Sequence, residues 1–216
     1  MLRKVLAFAN YEIRRAAARK KVLVLAVFTL LLDTVPVYLI RTVGSNFFPP
    51  GVDPYVWVLG VFVPEGFFLP FIALLIAAGS MSEEYEQGTA EVLLSKPVSR
   101  NEYFAGKFLG GYCLLSIIVL FNAVLSTATS TLVFGVQSSL WVLPEVVLAQ
   151  LLGGLVFYSF AFAAGEVVRR SSLAYILTSA VFFTSYLLGV YLSLIYGITG
   201  DHFYHAVDVY LPTSPV

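Results

Sequence analysis

Five long apolar runs, separated by short polar stretches, constrain this chain more than any other feature. They cover roughly residues 22–40, 56–78, 108–134, 142–165 and 173–196. About 20 apolar residues build a helix of ~30 Å, the thickness of a bilayer's hydrocarbon core. Lipid offers no water to the backbone, so such a run must satisfy its own amides as a helix. Charged residues are 12% of the chain, about half the share usual in soluble domains. The expected fold is therefore an all-α, polytopic helical membrane protein with five spans. No internal repeat or low-complexity linker divides the 216 residues, so residues 1–216 read as a single transmembrane domain. The first run has no A-x-A-like cleavage site after it, which predicts an uncleaved span rather than a signal peptide. The second contains Pro64, Glu65, Gly66 and Pro70, which predict an interrupted helix.

Cations set the orientation. Arg3, Lys4, Arg14, Arg15, Arg19, Lys20 and Lys21 precede the first span. Lys96, Arg100 and Lys107 lie between the second and third, and Arg169 and Arg170 between the fourth and fifth. Of the 13 Lys and Arg, Arg41 alone falls on the other side. The positive-inside rule then places the N-terminus and both of those loops in the cytoplasm. Within residues 1–21, Leu2, Val5 or Leu6, Ala9, Ile13 and Ala16 recur at helical steps, with Arg3, Lys4, Arg14 and Arg15 largely elsewhere on the wheel. That pattern predicts an amphipathic helix lying on the inner leaflet.

The polar island at residues 80–107 carries the local signals. Ser80-x-x-Glu83 has the form of a capping box, and Gln87-Gly88 interrupts the chain. Thr89 is placed to cap a short helix over residues 90–95, with Glu91 in its first turn, where the helix dipole favours an anion. Lys96-Pro97 ends that helix, because the residue before proline is driven out of helical geometry. Ser99-x-x-Glu102 forms a second capping box, with Val98 and Tyr103 as its hydrophobic staple, so the third spanning helix is expected to start near Arg100. The short helix carries Val92, Leu93 and Leu94. Exposed in water they would forgo ~1.5–3 kcal/mol each relative to burial, and so short a helix needs a surface to pack on. That surface is either a partner protein or the chain's own bundle and membrane interface.

The run Glu84-x-Glu86-x-Gly88-Thr89-x-Glu91-x-Leu93-Leu94-Ser95-x-Pro97-Val98-Ser99-Arg100, with Lys107 seven residues on, resembles the signature loop of ABC-2 type transporter permeases. The layout is similar too: a basic interfacial helix, two spans, the loop, then further spans. The resemblance implies that residues 90–95 are a coupling helix docking on a separate ATP-binding cassette ATPase subunit. Val92, Leu93 and Leu94 would supply apolar contact, while Glu84, Glu86, Gly88, Thr89, Glu91, Pro97 and Arg100 would flank it. It further implies a permease dimer, of like or unlike copies, over an ATPase dimer, working in export at a prokaryotic plasma (cell) membrane. Family members commonly add a sixth span; here residues 211–216 fall on the outer side of the expected topology. A non-transporting membrane anchor that recruits a cytosolic protein through the same helix is the alternative.

Other chemistries lack their residues. Gly106-Lys107 has no upstream glycine and is followed by Phe108, so no phosphate-binding loop exists and ATP hydrolysis is expected in another chain. Glu83-Glu84 resembles the start of the glutamate motif of membrane-embedded CAAX-type proteases, but Gly88 stands where an arginine is required. No cofactor or nucleic-acid partner is expected. His202-x-x-His205-x-x-Asp208 has metal-like spacing, in a segment where hydrogen bonding or solvation serves equally. Asp33 and Glu65 are ionisable positions at membrane depth and are candidates for a substrate or proton pathway, or for internal hydrogen bonding, whereas Glu145 lies early enough in its span to be interfacial. Asn122 and Gln150 are expected to hydrogen-bond between helices. Gly106-x-x-x-Gly110 and Ala161-x-x-x-Gly165 allow close helix approach, within the chain or in a dimer.

Overall fold

A computed structural model describes residues 2–43, 56–94 and 99–199. The chain runs α1 (Leu2–Ala17), α2 (Lys20–Val43), α3 (Val56–Glu86), α4 (Thr89–Leu94), α5 (Arg100–Phe134), a 3-10 turn at Leu140–Val142, α6 (Leu143–Val168) and α7 (Ser171–Thr199). Among the described residues, four helical stretches are long and apolar enough to cross a membrane: Phe67–Glu86, Arg100–Phe134, Leu140–Val168 and Ser171–Thr199. Five spans were expected. The remaining one, the first span at residues 22–40, does form the continuous helix α2, but the side chains of Asp33, Pro36, Leu39 and Ile40 lie outside the described set, and α2 is not among the four.

α3 is the axis of the bundle, packed on α2, α5, α6 and α7. Its most apolar stretch is 72% buried, against 22% for α7, whose outer face is left to lipid or to a neighbour. The interruption expected at Pro64–Pro70 does not occur, and α3 is helical throughout. A proline forfeits one helical hydrogen bond, whereas a break at membrane depth would strip several backbone groups of partners. Ser80-x-x-Glu83 is likewise no cap: Ser80 lies fully buried inside α3. The second capping box is formed as expected, with Ser99 Oγ accepting from the Glu102 amide at 3.2 Å and the Glu102 carboxylate accepting from the Ser99 amide at 3.2 Å.

Small residues set the tightest crossings. A Cβ on Gly165 of α6 would lie 2.6 Å from the Ala78 carbonyl of α3. On Gly106 and Gly110 of α5 it would lie 2.5 Å from Phe8 Cβ and 2.5 Å from the Ala9 carbonyl of α1. Both glycine motifs therefore serve contacts within the chain. Between α3, α6 and α7 the core is aromatic, with Phe182 edge-on to Phe71 and Phe157 at centroid distances of 4.9 and 5.4 Å. At the end remote from α1, Trp57 Nε1 donates to the Ser138 carbonyl at 2.9 Å and Arg41 donates to the Val133 carbonyl.

Candidate functional site

The functional candidates gather at the end of the bundle where α1, α3, α5 and α7 meet. α1 stops at Ala17 and α2 starts at Lys20, and this short joint turns Arg19 toward α3. Arg19 Nη2 donates to the Gly79 carbonyl at 2.8 Å and Nη1 to the Ile76 carbonyl at 3.2 Å. Gly79 makes room: a Cβ there would lie 3.0 Å from both Arg19 Nη1 and Glu83 Oε1 and collide with the Tyr175 hydroxyl. One α-helical turn before Arg19, Arg15 reaches the Ser80 carbonyl at 3.1 Å and Glu84 Oε1 at 2.6 Å. Glu12, one turn earlier still, is fully buried.

Lys107 enters the same space from α5, fully buried, with Nζ 3.0 Å from Glu12, 2.9 Å from Glu84 and 2.6 Å from the Ser80 carbonyl. Tyr103, one turn earlier on α5, donates its hydroxyl to Glu84. Glu83 turns the other way, accepting from Tyr175 of α7 at 2.9 Å and pairing with Arg19 Nε at 3.2 Å. Three cations (Arg15, Arg19, Lys107) thus face three carboxylates (Glu12, Glu83, Glu84) drawn from α1, α3, α5 and the α1–α2 joint. Charge balance is what permits such burial, since an unpaired ion here would meet its full desolvation penalty. The cluster has two exits from α3. Tyr85 donates to both carboxylate oxygens of Glu166 at 2.9 and 2.8 Å, with the Arg169 guanidinium stacked on its ring. Glu86 accepts from the amide and hydroxyl of Ser171, at 2.9 and 2.6 Å, and so caps the start of α7.

α4 hangs from this cluster. Gln87-Gly88 forms the predicted turn, with Gly88 at φ +67°, a left-handed conformation that glycine adopts freely. Thr89 is the first helical residue rather than the cap, and its hydroxyl donates to the Glu84 carbonyl at 3.3 Å. Ala90 is fully buried, whereas Glu86, Gly88, Thr89, Glu91 and Arg100 are exposed. The backbone of Val92, Leu93 and Leu94 completes α4; their side chains lie outside the described residues, as do those of Asp33 and Glu65. Pro97, His202, His205 and Asp208 are wholly outside them. Among the described residues, no cluster of His, Cys, Asp or Glu is arranged to hold a metal ion.

Sequence reasoning found Glu84 but not its partners. It placed Arg15 on the outer, polar face of the first helix, whereas Arg15 points inward with Glu12, and only Arg3, Lys4 and Arg14 are exposed. A signal existed: Glu12 is the one acid in a basic helix, and Glu12, Arg15 and Arg19 recur at steps of three and four along one face.

Residues 6–212 match the family model described as ABC-2 family transporter protein. The probable ABC transporter permease protein NosY of Stutzerimonas stutzeri is 35% identical over 112 residues, covering 50% of this chain and 41% of that protein. Its namesake in Pseudomonas aeruginosa is 32% identical over 122 residues, covering 50% of this chain and 40% of that protein. Each match thus spans less than half of the relative. With a family match along nearly its whole length, this multi-pass chain belongs to the ABC-2 family of transporter proteins.

Proposed function

We propose that the chain is the permease subunit of an ATP-driven ABC-2 type export system, pairing with a second permease copy to form the path and with a separate ATP-binding cassette ATPase for energy. The observation that carries the reading is the placement of α4: a six-residue helix held at the tip of α3 by a two-residue turn and the Thr89–Glu84 bond. A push on α4 is delivered to Glu84, and through it to α1 and α5 by way of Arg15, Lys107 and Tyr103. Buried ion pairs are stiff couplers, because separating their members exposes uncompensated charge. Glu84 therefore works as a link behind the docking surface, while exposed Glu91 and Arg100 set its electrostatic fit and Val92, Leu93 and Leu94 supply its apolar contact. The positive-inside distribution supports a cell-membrane orientation with α1 and α4 in the cytoplasm.

Leu93→Asp tests the docking role. Co-expressed with its ATPase, the variant is expected to insert and fold but to lose the ATPase on purification. Stoichiometric co-purification of that variant would refute α4 as the dock. Retained binding by the parent chain without transport-linked stimulation of hydrolysis would point instead to an anchoring role.

A further inference from the structure

Among the described residues, helix hydroxyls commonly bond to their own backbone. Thr29, Ser116, Thr127, Thr131, Ser159 and Thr178 each donate to the carbonyl four residues back, at 2.7–2.9 Å. That local bond is how a helix normally silences a hydroxyl in an apolar setting. Ser126 and Ser130 of α5 are fully buried and make no such bond or any other. One turn before them Asn122 is 1% exposed, and neither end of its amide has a partner. Steps of four place all three on one stripe of the helix, about 12 Å long. The apolar residues of that face pack into the bundle: Val119 and Ala123 in the main core and Val133 against Val37 of α2. Leaving such groups dry costs ~1–3 kcal/mol each, so four orphaned atoms in one line call for a ligand.

The ligand must both donate and accept. Asn122 offers an NH₂ donor pair and a carbonyl acceptor, and each serine offers both functions. That excludes a bare cation or anion along the whole stripe and fits water, whose buried molecules make about three hydrogen bonds to otherwise unsatisfied groups. At its outer end the stripe reaches Gln137, which is buried and bridges the Ser130 and Gly135 carbonyls to the Trp57 amide. The register adds a second observation. Counting outward from the Lys107–Ser80 and Gly111–Ile76 contacts at the common helical rise sets the backbone of Asn122 level with that of Glu65 on α3. Counting back from Val37–Val133 sets Ser130 level with the turn of α2 that carries Asp33. The backbone at Asp33 and at Glu65 thus shares a depth with the orphaned groups.

We infer that Asn122, Ser126 and Ser130 bind a file of water molecules inside a single subunit, a hydrated seam along α5 toward α2 and α3. It is separate from any path between two permease copies and does not rest on ATPase coupling. The test uses the full chain in lipid nanodiscs with Cys113→Ser as the parent, and single cysteines at Ser126, Ser130 and the outward-facing Val124. A small water-soluble methanethiosulfonate reacts with thiolate, which forms only where water reaches. Ser126→Cys and Ser130→Cys are expected to label at least tenfold faster than Val124→Cys; equal rates overturn the seam. Should a cysteine variant fail to fold, Ser126→Ala with Ser130→Ala gives an independent reading. Loss of water-bonded hydroxyls is expected to lower the melting temperature by about 2–4 °C. An unchanged or raised value marks the stripe as dry and overturns the inference.

Discussion

Replacing Lys107 with methionine isolates the charge at the centre of the cluster. Methionine keeps the length and most of the apolar stem while removing the ammonium from between Glu12 at 3.0 Å and Glu84 at 2.9 Å. The two carboxylates are not equally provided for afterwards. Glu84 keeps Arg15 at 2.6 Å, whereas Glu12 keeps only Arg15 at 3.6 Å and Arg19 at 3.8 Å. Glu12 thus becomes a fully buried carboxylate without a close cation, and breaking a buried pair in this way costs ~3–5 kcal/mol. For a chain of this size, ~1 kcal/mol corresponds to about 2–4 °C, so Lys107→Met is expected to lower the melting temperature by about 6–20 °C. Adding Glu12→Gln removes the stranded charge and is expected to restore much of the loss, with a coupling energy of ~1–3 kcal/mol. Thermal unfolding of the four proteins of this cycle in nanodiscs, followed by tryptophan fluorescence, supplies the numbers. A single mutant within about 3 °C of the parent, or a double mutant no better than Lys107→Met alone, would refute the view that charge balance holds this end together.

Gly110→Val puts branched carbon where the Ala9 carbonyl already lies 2.5 Å from a single Cβ. It is expected to destabilise by ~1–3 kcal/mol as an overpacked contact and to loosen α1, read out as faster trypsin cleavage after Arg14. Gly88→Ala meets nothing within 4 Å, so its whole effect is the left-handed backbone at φ +67°. That costs ~1–2 kcal/mol at the turn, and the expected result is weaker ATPase co-purification with an unchanged melting temperature of the spans.

What was readable in the sequence follows from the range of the forces involved. The Ser99–Glu102 cap, the Gly88 turn and the start of α5 at Arg100 are decided within four residues, and each is found where the pattern put it. Ser80-x-x-Glu83 carries the same pattern and fails as a cap, because Ser80 sits in the middle of a buried helix whose neighbours take its carbonyl instead. The prolines of α3 fail as breakers for a related reason: a lipid environment penalises an open backbone more than a missing amide. The inward turn of Arg15 has one faint local signal, its spacing from Glu12 and Arg19; its main partner, Glu84, is 69 residues away. Likewise the glycines of α5 announce a close contact, within the chain or in a dimer, but not its partner, which is α1.

The Glu12–Lys107 pair also imposes an order on biogenesis. The two residues are 95 positions apart. At 5–20 residues per second, about 5–20 s separate their emergence from the ribosome. During that interval α1 carries a carboxylate whose partner does not yet exist, and α3 inserts without the cation that will cover its Ser80 carbonyl. α1 is thus made before α3 and α5, and its seat is complete only when α5 has entered the bilayer.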